Sequence, residues 1–121
     1  MTKEKELSYQ MRSCLFEVYR QLGHGYLEKV YETALTQEFT THGLRYENQV
    51  AYDVDYKGTI IGHYLADLVV KNKVIIEIKT QNKQPDGAEA RLLNYLRASQ
   101  LFVGLLVNFT FPKTTIKRLV L

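Results

Sequence analysis

The fold follows from one stretch, residues 65–79, which reads LADLVV, then KNK, then VIIEIK. Two apolar runs separated by a polar tripeptide are typical of a β-hairpin. If the tripeptide forms a three-residue loop, Val70 pairs with Val74. Counting outward by equal steps then pairs Asp67 with Glu77, and directly opposed residues have Cβ atoms about 4.5–5.5 Å apart on one face. The stretch therefore predicts two strands that hold two carboxylates side by side.

Charged side chains inside apolar strands are costly unless they are paired or bind something. Carboxylates as close as Asp67 and Glu77 repel each other, and the usual reasons to hold them together are a shared proton or a divalent cation. Lys79 follows Glu77 by two residues, so strand alternation places its ammonium on the same face. The trio predicts a phosphodiesterase site, in which the acids hold a cation such as Mg²⁺ and the lysine acts on the attacking water or the phosphate. The alternative is a structural ion pair between Lys79 and one acid at a sheet edge.

The hydrophobic period changes along the rest of the chain, and each change marks an element. Apolar residues recur every three to four positions in amphipathic helices and every two positions in half-buried strands. Near-continuous apolarity at 101–109 is typical of a central strand that is buried on both faces and reached by a helical crossover. These patterns predict an α/β fold with a mixed sheet flanked by helices. The predicted elements are helices at 6–21, 26–42 and 88–99 and strands at 46–56, 60–70, 73–79, 101–109 and 115–121.

The composition describes one ordinary globular domain over residues 1–121. The 121 residues are 45% hydrophobic and 24% charged, which is enough for one core without disulfides. Cys14 is the single cysteine, so an internal disulfide cannot form and zinc-finger spacings are absent. The sequence shows no signal peptide and no apolar run long enough to span a membrane. We expect a soluble, cytoplasmic protein without a membrane partner.

Charge is distributed unevenly along the chain. Residues 1–70 carry seven Lys/Arg and ten Asp/Glu, a balance of −3, whereas residues 71–121 carry nine and three, a balance of +6. A basic half indicates a polyanionic partner, although it is also typical of ordinary solvated surface. If the partner is nucleic acid, the contacting surface is expected to include basic side chains that follow the hairpin. These are Lys83, Arg91, Lys113, Lys117 and Arg118.

Several motifs together carry a family resemblance. Asp67 followed by Glu-Ile-Lys at 77–79, within an α-β-β-β-α-β order, resembles the PD-(D/E)XK nuclease superfamily. Residues 25–31 read GYLEKVY, a Gly-x-x-Glu-x-x-Tyr signature that resembles the small GxxExxY family of that superfamily. Residues 92–96 (LLNYL) and 103–109 (VGLLVNF) also resemble later blocks of that family. The resemblance covers nearly the whole chain and implies a restriction-endonuclease-like αβββαβ core.

The resemblance implies a role for each matching residue. Asp67 and Glu77 would be catalytic acids and metal ligands, with the backbone carbonyl of Ile78 as a further ligand. Glu28 would be the helix acid of the site and a further ligand, although a first-turn acid is also favoured by the helix dipole alone. Lys79 would be the catalytic lysine. The implied cofactor is Mg²⁺ or Mn²⁺ and the implied substrate is nucleic acid, DNA rather than RNA, while a homodimer stays open.

Substrate binding is the part in which the chain departs from the family pattern. Many superfamily members carry glutamine four residues before a helix tyrosine, and here Arg91 precedes Tyr95. Arginine can contact a phosphate but cannot accept a hydrogen bond. The candidate substrate-binding residues are Arg91, Tyr95, Lys83 and Tyr31. Tyr31 is explained equally well as a hydrogen-bond partner of a ligating carboxylate or as core.

Two alternatives to a metal-dependent nuclease stay open. The first is a catalytically silent module of the same fold that binds nucleic acid or protein. The second is a regulatory subunit that docks another protein through its apolar strand edge or a helix face. Binding of a divalent metal separates the nuclease from the silent module.

Overall fold

The computed structural model describes residues 5–81, 87–110 and 113–121. All eight predicted elements are present in the predicted order. They are α1 (Lys5–Leu22), α2 (Glu28–Thr41), β1 (Tyr46–Tyr56), β2 (Thr59–Val70), β3 (Val74–Lys79), α3 (Ala88–Ser99), β4 (Val103–Asn108) and β5 (Thr115–Val120). Within the described ranges, no helix combines the length and apolarity that a membrane crossing requires.

The boundary difference that matters for the site lies at α2, which begins at Glu28 instead of residue 26. Gly23 and Gly25 have φ angles of 68° and 108°, a region that glycine enters without steric cost. Leu27 is still extended, with φ −72° and ψ 157°. The glycine elbow is therefore longer than predicted, and Glu28 becomes the first residue of the helix, where the helix dipole favours a carboxylate.

The sheet is mixed and has the strand order β1-β2-β3-β4-β5. The strands β1, β2 and β3 form an antiparallel meander, and α3 then crosses over so that β4 lies parallel to β3. Every residue of β4 is buried, which confirms the prediction of a central strand. β5 pairs antiparallel with β4 at the sheet edge, as predicted.

Helices cover both faces of the sheet and divide the core in two. The first cluster, here the α1/α2 cluster, contains apolar residues of those two helices together with Val74, Ile76 and Ile78 of β3. The second, here the α3 cluster, contains Ile75 and apolar residues of α3. Because successive strand residues point to opposite faces, the two charged residues of β3, Glu77 and Lys79, lie on the face of α3.

The crossover helix approaches β4 most closely at Gly104. A Cβ atom on this residue would lie 2.9 Å from Cδ1 of Leu92, a fully buried α3 side chain that has little room to move. We expect Gly104→Val to lower the free energy of unfolding by about 1–3 kcal/mol, the usual cost of overpacking a core. Urea unfolding followed by circular dichroism measures the change.

The matched control is Gly62→Ala on β2. A Cβ atom there meets no atom within 4 Å, so this variant should unfold like the wild type. Equal stability of Gly104→Val and the wild type would show that α3 packs on β4 less closely than described.

Candidate active site

The carboxyl groups of the two hairpin acids accept a reciprocal pair of hydrogen bonds, each from the backbone of the facing strand. The backbone N–H of Asp67 donates to Oε2 of Glu77 at 2.9 Å. The backbone N–H of Ile78 donates in turn to Oδ2 of Asp67 at 2.8 Å. The predicted register is confirmed for Val70 and Val74 and extends to Leu68 opposite Ile76. Beyond that pair, the backbone N–H groups of Asp67 and Ile78 donate to side-chain carboxylates and not to the backbone carbonyls of a regular ladder.

The alternation of β2 inverts at Asp67. Leu68 and Val70 pack in the α1/α2 cluster, whereas Ala66, two residues before Leu68, packs in the α3 cluster. In a regular strand, residues two apart share a face. Asp67 therefore lies where the strand changes faces, and its carboxylate can be approached from both α2 and α3.

Glu77 is more buried than Asp67, with 5% of its surface exposed. Burial, followed by the charge of Asp67, raises the pKa of Glu77 to about 8, while the Asp67 N–H and Lys79 act in the opposite direction. Burial also raises the pKa of Asp67, against the Ile78 N–H and Lys79. Both shifts mean that the fold concentrates negative charge in a poorly solvated place.

Glu28 joins this group from the first turn of α2. Partial desolvation raises the pKa of Glu28, Lys79 lowers it, and Asp67 raises it further. Glu28 is thus close enough to Lys79 and Asp67 to feel both charges. Lys79, a half-buried residue, lowers the pKa of all three acids and is the cation that acts on each of them.

This donor set suits a hard divalent cation. Within the described ranges, no three His, Cys, Asp or Glu side chains converge closely enough to enclose an ion. Mg²⁺, however, is usually held by one or two carboxylates and keeps several waters. Asp67 and Glu77 supply such a pair, each with oxygen lone pairs beyond those used in their hydrogen bonds. A cation there would also offset the negative charge that the single lysine leaves unbalanced.

On the α3 side, Tyr95 lies beside the acid pair. Its ring packs edge to face on Tyr64 with 4.7 Å between centroids. Burial and the charge of Glu77 raise the pKa of Tyr95, and Arg91, one helical turn away, lowers it. Arg91 is exposed. Tyr95 is therefore close enough to feel the charges of both acids, Arg91 lies next to Tyr95 on the helix, and a third candidate, Lys83, lies outside the described residues.

Tyr31 does not belong to this group, and its substrate-binding role is corrected here. Its side chain is fully buried, and its ring stacks on Phe109 at 4.3 Å. Its hydroxyl donates to the Gly23 carbonyl at 2.7 Å and accepts the Tyr26 N–H at 3.4 Å. Tyr31 therefore closes the glycine elbow before α2, which is the core alternative left open above.

The basic residues of β5 do not form the single surface expected from charge counting. Lys117 lies opposite Leu106 of the α3 cluster, and its ammonium is 2.7 Å from the Glu89 carboxylate of α3. Arg118 points to the other face, where it lines a cavity together with Arg12 of α1. Adjacent strand residues face opposite sides, so the two cations are separated by the sheet.

Two polar residues near the acids were missed as site residues. Glu32 follows Glu28 by one turn, is 6% exposed, and accepts hydrogen bonds from Asn48 Nδ2 at 3.3 Å and Gln49 Nε2 at 3.1 Å. Gln49 also lies at the β1 position opposite Asp67, and its side chain is among the influences that lower the pKa of that carboxyl. The spacing of four residues from Glu28 was a usable signal for Glu32. Nothing in the local sequence pattern pointed to Gln49.

The chain matches a family model described as the PD-(D/E)XK nuclease superfamily over residues 5–119. It is also similar to a solved structure titled "Crystal structure of SSO0001", with a TM-score of 0.54, 14% sequence identity, and coverage of 94% of this chain and 76% of the other. At that identity the likeness concerns the fold alone. No curated protein matches the sequence. The five-stranded mixed sheet flanked by helices is consistent with a restriction-endonuclease-like fold. From the match over most of its length, the chain belongs to the PD-(D/E)XK nuclease superfamily.

Proposed function

We propose that this protein is a metal-dependent nuclease that hydrolyses phosphodiester bonds in nucleic acid, with DNA as the preferred substrate. The observation that carries the proposal is the reciprocally bonded pair of Asp67 and Glu77, with Lys79 acting on both carboxyl groups. An arrangement that is electrostatically unfavourable by itself is retained where function requires it. Superfamily membership supports the same reading.

The acids are assigned to metal binding. Asp67 and Glu77 would hold Mg²⁺ or Mn²⁺, with the Ile78 carbonyl and Glu28 as further ligands. When bound, such an ion supplies Lewis-acid stabilisation of a phosphoryl oxygen and lowers the pKa of water. The hydrogen bonds from the Asp67 and Ile78 N–H groups orient the carboxylates before any ion arrives.

Lys79 is assigned to the reacting groups. Its ammonium donates hydrogen bonds and cannot accept them, so it can orient the attacking water or neutralise charge on the phosphate. Lys79 is half-buried, and its charge lowers the pKa of Asp67, Glu77 and Glu28. Lys79 thus contributes a positive charge at the place where negative charge develops.

Arg91 and Tyr95 are assigned to the substrate. They lie one turn apart on α3; Tyr95 is close enough to feel the charges of Glu77 and Asp67, and Arg91 is exposed. A guanidinium there can contact a phosphate adjacent to the scissile one. Many superfamily members resembled by this chain carry glutamine at the position of Arg91. A glutamine can accept a hydrogen bond there, whereas Arg91 would contact a phosphate through its positive charge.

A cleavage assay tests the proposal. Purified protein is incubated with a panel of labelled single-stranded, duplex and branched DNA and RNA, with Mg²⁺, with Mn²⁺ or with EDTA. We expect cleavage of at least one DNA substrate that requires the metal and is absent from an Asp67→Asn/Glu77→Gln double variant purified in parallel. The double variant excludes a contaminating nuclease.

If the wild type binds Mn²⁺ but cleaves none of the substrates, the silent nucleic-acid-binding or protein-binding module is favoured. Failure of the wild type to bind either metal would reject the metal-dependent nuclease.

A further inference from the structure

Gln49 occupies the position on β1 that lies opposite Asp67. Its neighbours Asn48 and Val50 both pair regularly with β2, and the ladder skips the position between them. The backbone of Gln49 has a φ of 54°, a left-handed conformation that glycine and asparagine adopt far more readily than glutamine. A strand residue keeps this conformation only where the surrounding structure imposes it.

At Gln49, the side chains of β1 switch the sheet faces to which they point. The side chains of β2 switch faces at Asp67, which lies opposite Gln49. Tyr46 packs against the α1/α2 cluster, whereas Val50 and Tyr52 pack against the α3 cluster, although all three are separated by even numbers of residues. The Gln49 side chain is thereby turned out of the regular alternation. It reaches the acid Glu32 of α2 while the residue lies opposite the acid Asp67 of β2.

The Gln49 amide bonds one carboxyl group and acts on the pKa of a second. Its Nε2 donates to Oε1 of the buried Glu32 at 3.1 Å. Burial raises the pKa of Asp67, and the Gln49 side-chain hydrogen bond is among the influences that lower it. A primary amide has two donor hydrogens, so one side chain can serve both acids.

We propose that Gln49 is a positioning residue, which holds the Asp67 carboxylate in the orientation used for metal binding. This inference rests on the proposed function, because it assigns Asp67 to a metal. The Ile78 N–H holds Oδ2 of Asp67 at 2.8 Å from β3, and Gln49 restrains the same carboxylate from β1. With both neighbours in place, the carboxylate cannot rotate freely, and its remaining lone pairs stay directed to the space it shares with Glu77.

The test uses Gln49→Gly, which removes the amide and suits the positive φ, so the variant should fold. Isothermal titration with MnCl₂ measures affinity, and hydrogen exchange measures protection of the Ile78 amide without metal. We expect Mn²⁺ affinity to fall about ten-fold or more, as is usual when a partner of a metal ligand is lost. The Ile78 amide should exchange about ten-fold faster because its acceptor is no longer held.

Asn48→Ala is the matched control. It removes a similar amide bond to the same Glu32 but leaves the Asp67 contact in place, so affinity and Ile78 exchange should stay within about two-fold of the wild type. Gln49→Asn, which tolerates the left-handed backbone but is one methylene shorter, should resemble Gln49→Gly.

The outcomes are distinct. Wild-type affinity and exchange in Gln49→Gly, or equal losses in Asn48→Ala, would overturn the positioning role. Faster Ile78 exchange in Gln49→Gly alone, in a protein whose wild type binds no Mn²⁺, would support the restraint on Asp67 and reject the proposed metal site.

Discussion

Lys79→Ala is expected to abolish measurable phosphodiester cleavage while leaving Mn²⁺ binding intact. Lys79 has no oxygen ligand to offer a metal, and its charge lowers the pKa of all three neighbouring acids. Removing one group that stabilises developing charge typically costs about 10²–10³-fold in rate. The measurements are the cleavage rate at saturating Mn²⁺ and the Mn²⁺-induced rise in melting temperature.

The carboxylate variants should show the complementary behaviour. Asp67→Asn and Glu77→Gln each replace a carboxyl group that can ionise to hold the ion by a neutral amide, so both the Mn²⁺-induced stabilisation and cleavage should disappear. For the wild type, that stabilisation is about 2.7 kcal/mol when free Mn²⁺ is 100 times its dissociation constant. Metal-free stability should be equal to or above that of the wild type, because mutual repulsion is relieved.

Lys73→Ala is the control for loss of a lysine, because Lys73 is exposed and adjoins the opposite end of β3. It should keep both cleavage and the Mn²⁺ response. Loss of Mn²⁺ binding in Lys79→Ala, or unfolding of both carboxylate variants, would show that the acids and the lysine are structural.

The hairpin could be predicted because its register depends on local information. If the polar tripeptide between the two apolar runs forms a three-residue loop, the residues that flank it, Val70 and Val74, must pair, as they do. The same count places Asp67 across from Glu77, and they do meet. Their contact through side-chain carboxylates was not predictable, because the inversion at Asp67 arises from packing against helices on both faces.

Gln49 was not predicted as a site residue because a bulge changes the pairing between β1 and β2. The turn pairs Tyr56 with Thr59, and counting back from it would place Asn48 opposite Asp67. The pairing shifts between Val54 and Asp55, since β2 contains an extra residue there. A bulge moves every pair behind it by one position. Gly62 lies next to the extra residue, and an isolated glycine in a strand often marks a bulge, but a glycine alone does not fix the register of the pairs behind it.

Charge counting fails for a related reason. It correctly assigns basic residues to the second half of the chain, but it carries no information on faces. Lys117 and Arg118 are adjacent in sequence and lie on opposite sides of the sheet. Similarly, the Gly-x-x-Glu-x-x-Tyr motif does not reveal that Tyr31 closes the elbow while Glu28 faces Lys79.

The metal-free protein is expected to lose stability as the pH rises from about 4.5 to about 8. Burial, followed by the charge of Asp67, raises the pKa of Glu77 from 4.5 to about 8 in the folded protein. Between these values the folded state binds more protons than the unfolded state, so the free energy of unfolding falls with increasing pH and levels off above the folded pKa. At 1.36 kcal/mol per pKa unit, the loss from Glu77 is at most about 5 kcal/mol. Urea unfolding in EDTA at pH 5, 6, 7 and 8 measures it.

Glu77→Gln should remove the part of this pH dependence that Glu77 contributes and leave the smaller part from Asp67 and Glu28, whose pKa values are also raised. Its amide oxygen can still accept the Asp67 N–H, but the side chain no longer ionises. The variant should therefore become more stable than the wild type as the pH approaches 8, whereas Glu47→Gln, at an exposed acid of β1, should follow the wild type. Mn²⁺ should restore stability at pH 8 only where Glu77 is present, because the ion selects the ionised carboxylate that the empty fold disfavours. Parallel curves of the free energy of unfolding against pH for the wild type and Glu77→Gln would mean that Glu77 is solvated enough to ionise without cost. The electrostatic argument that the acid pair favours a bound cation would then fail.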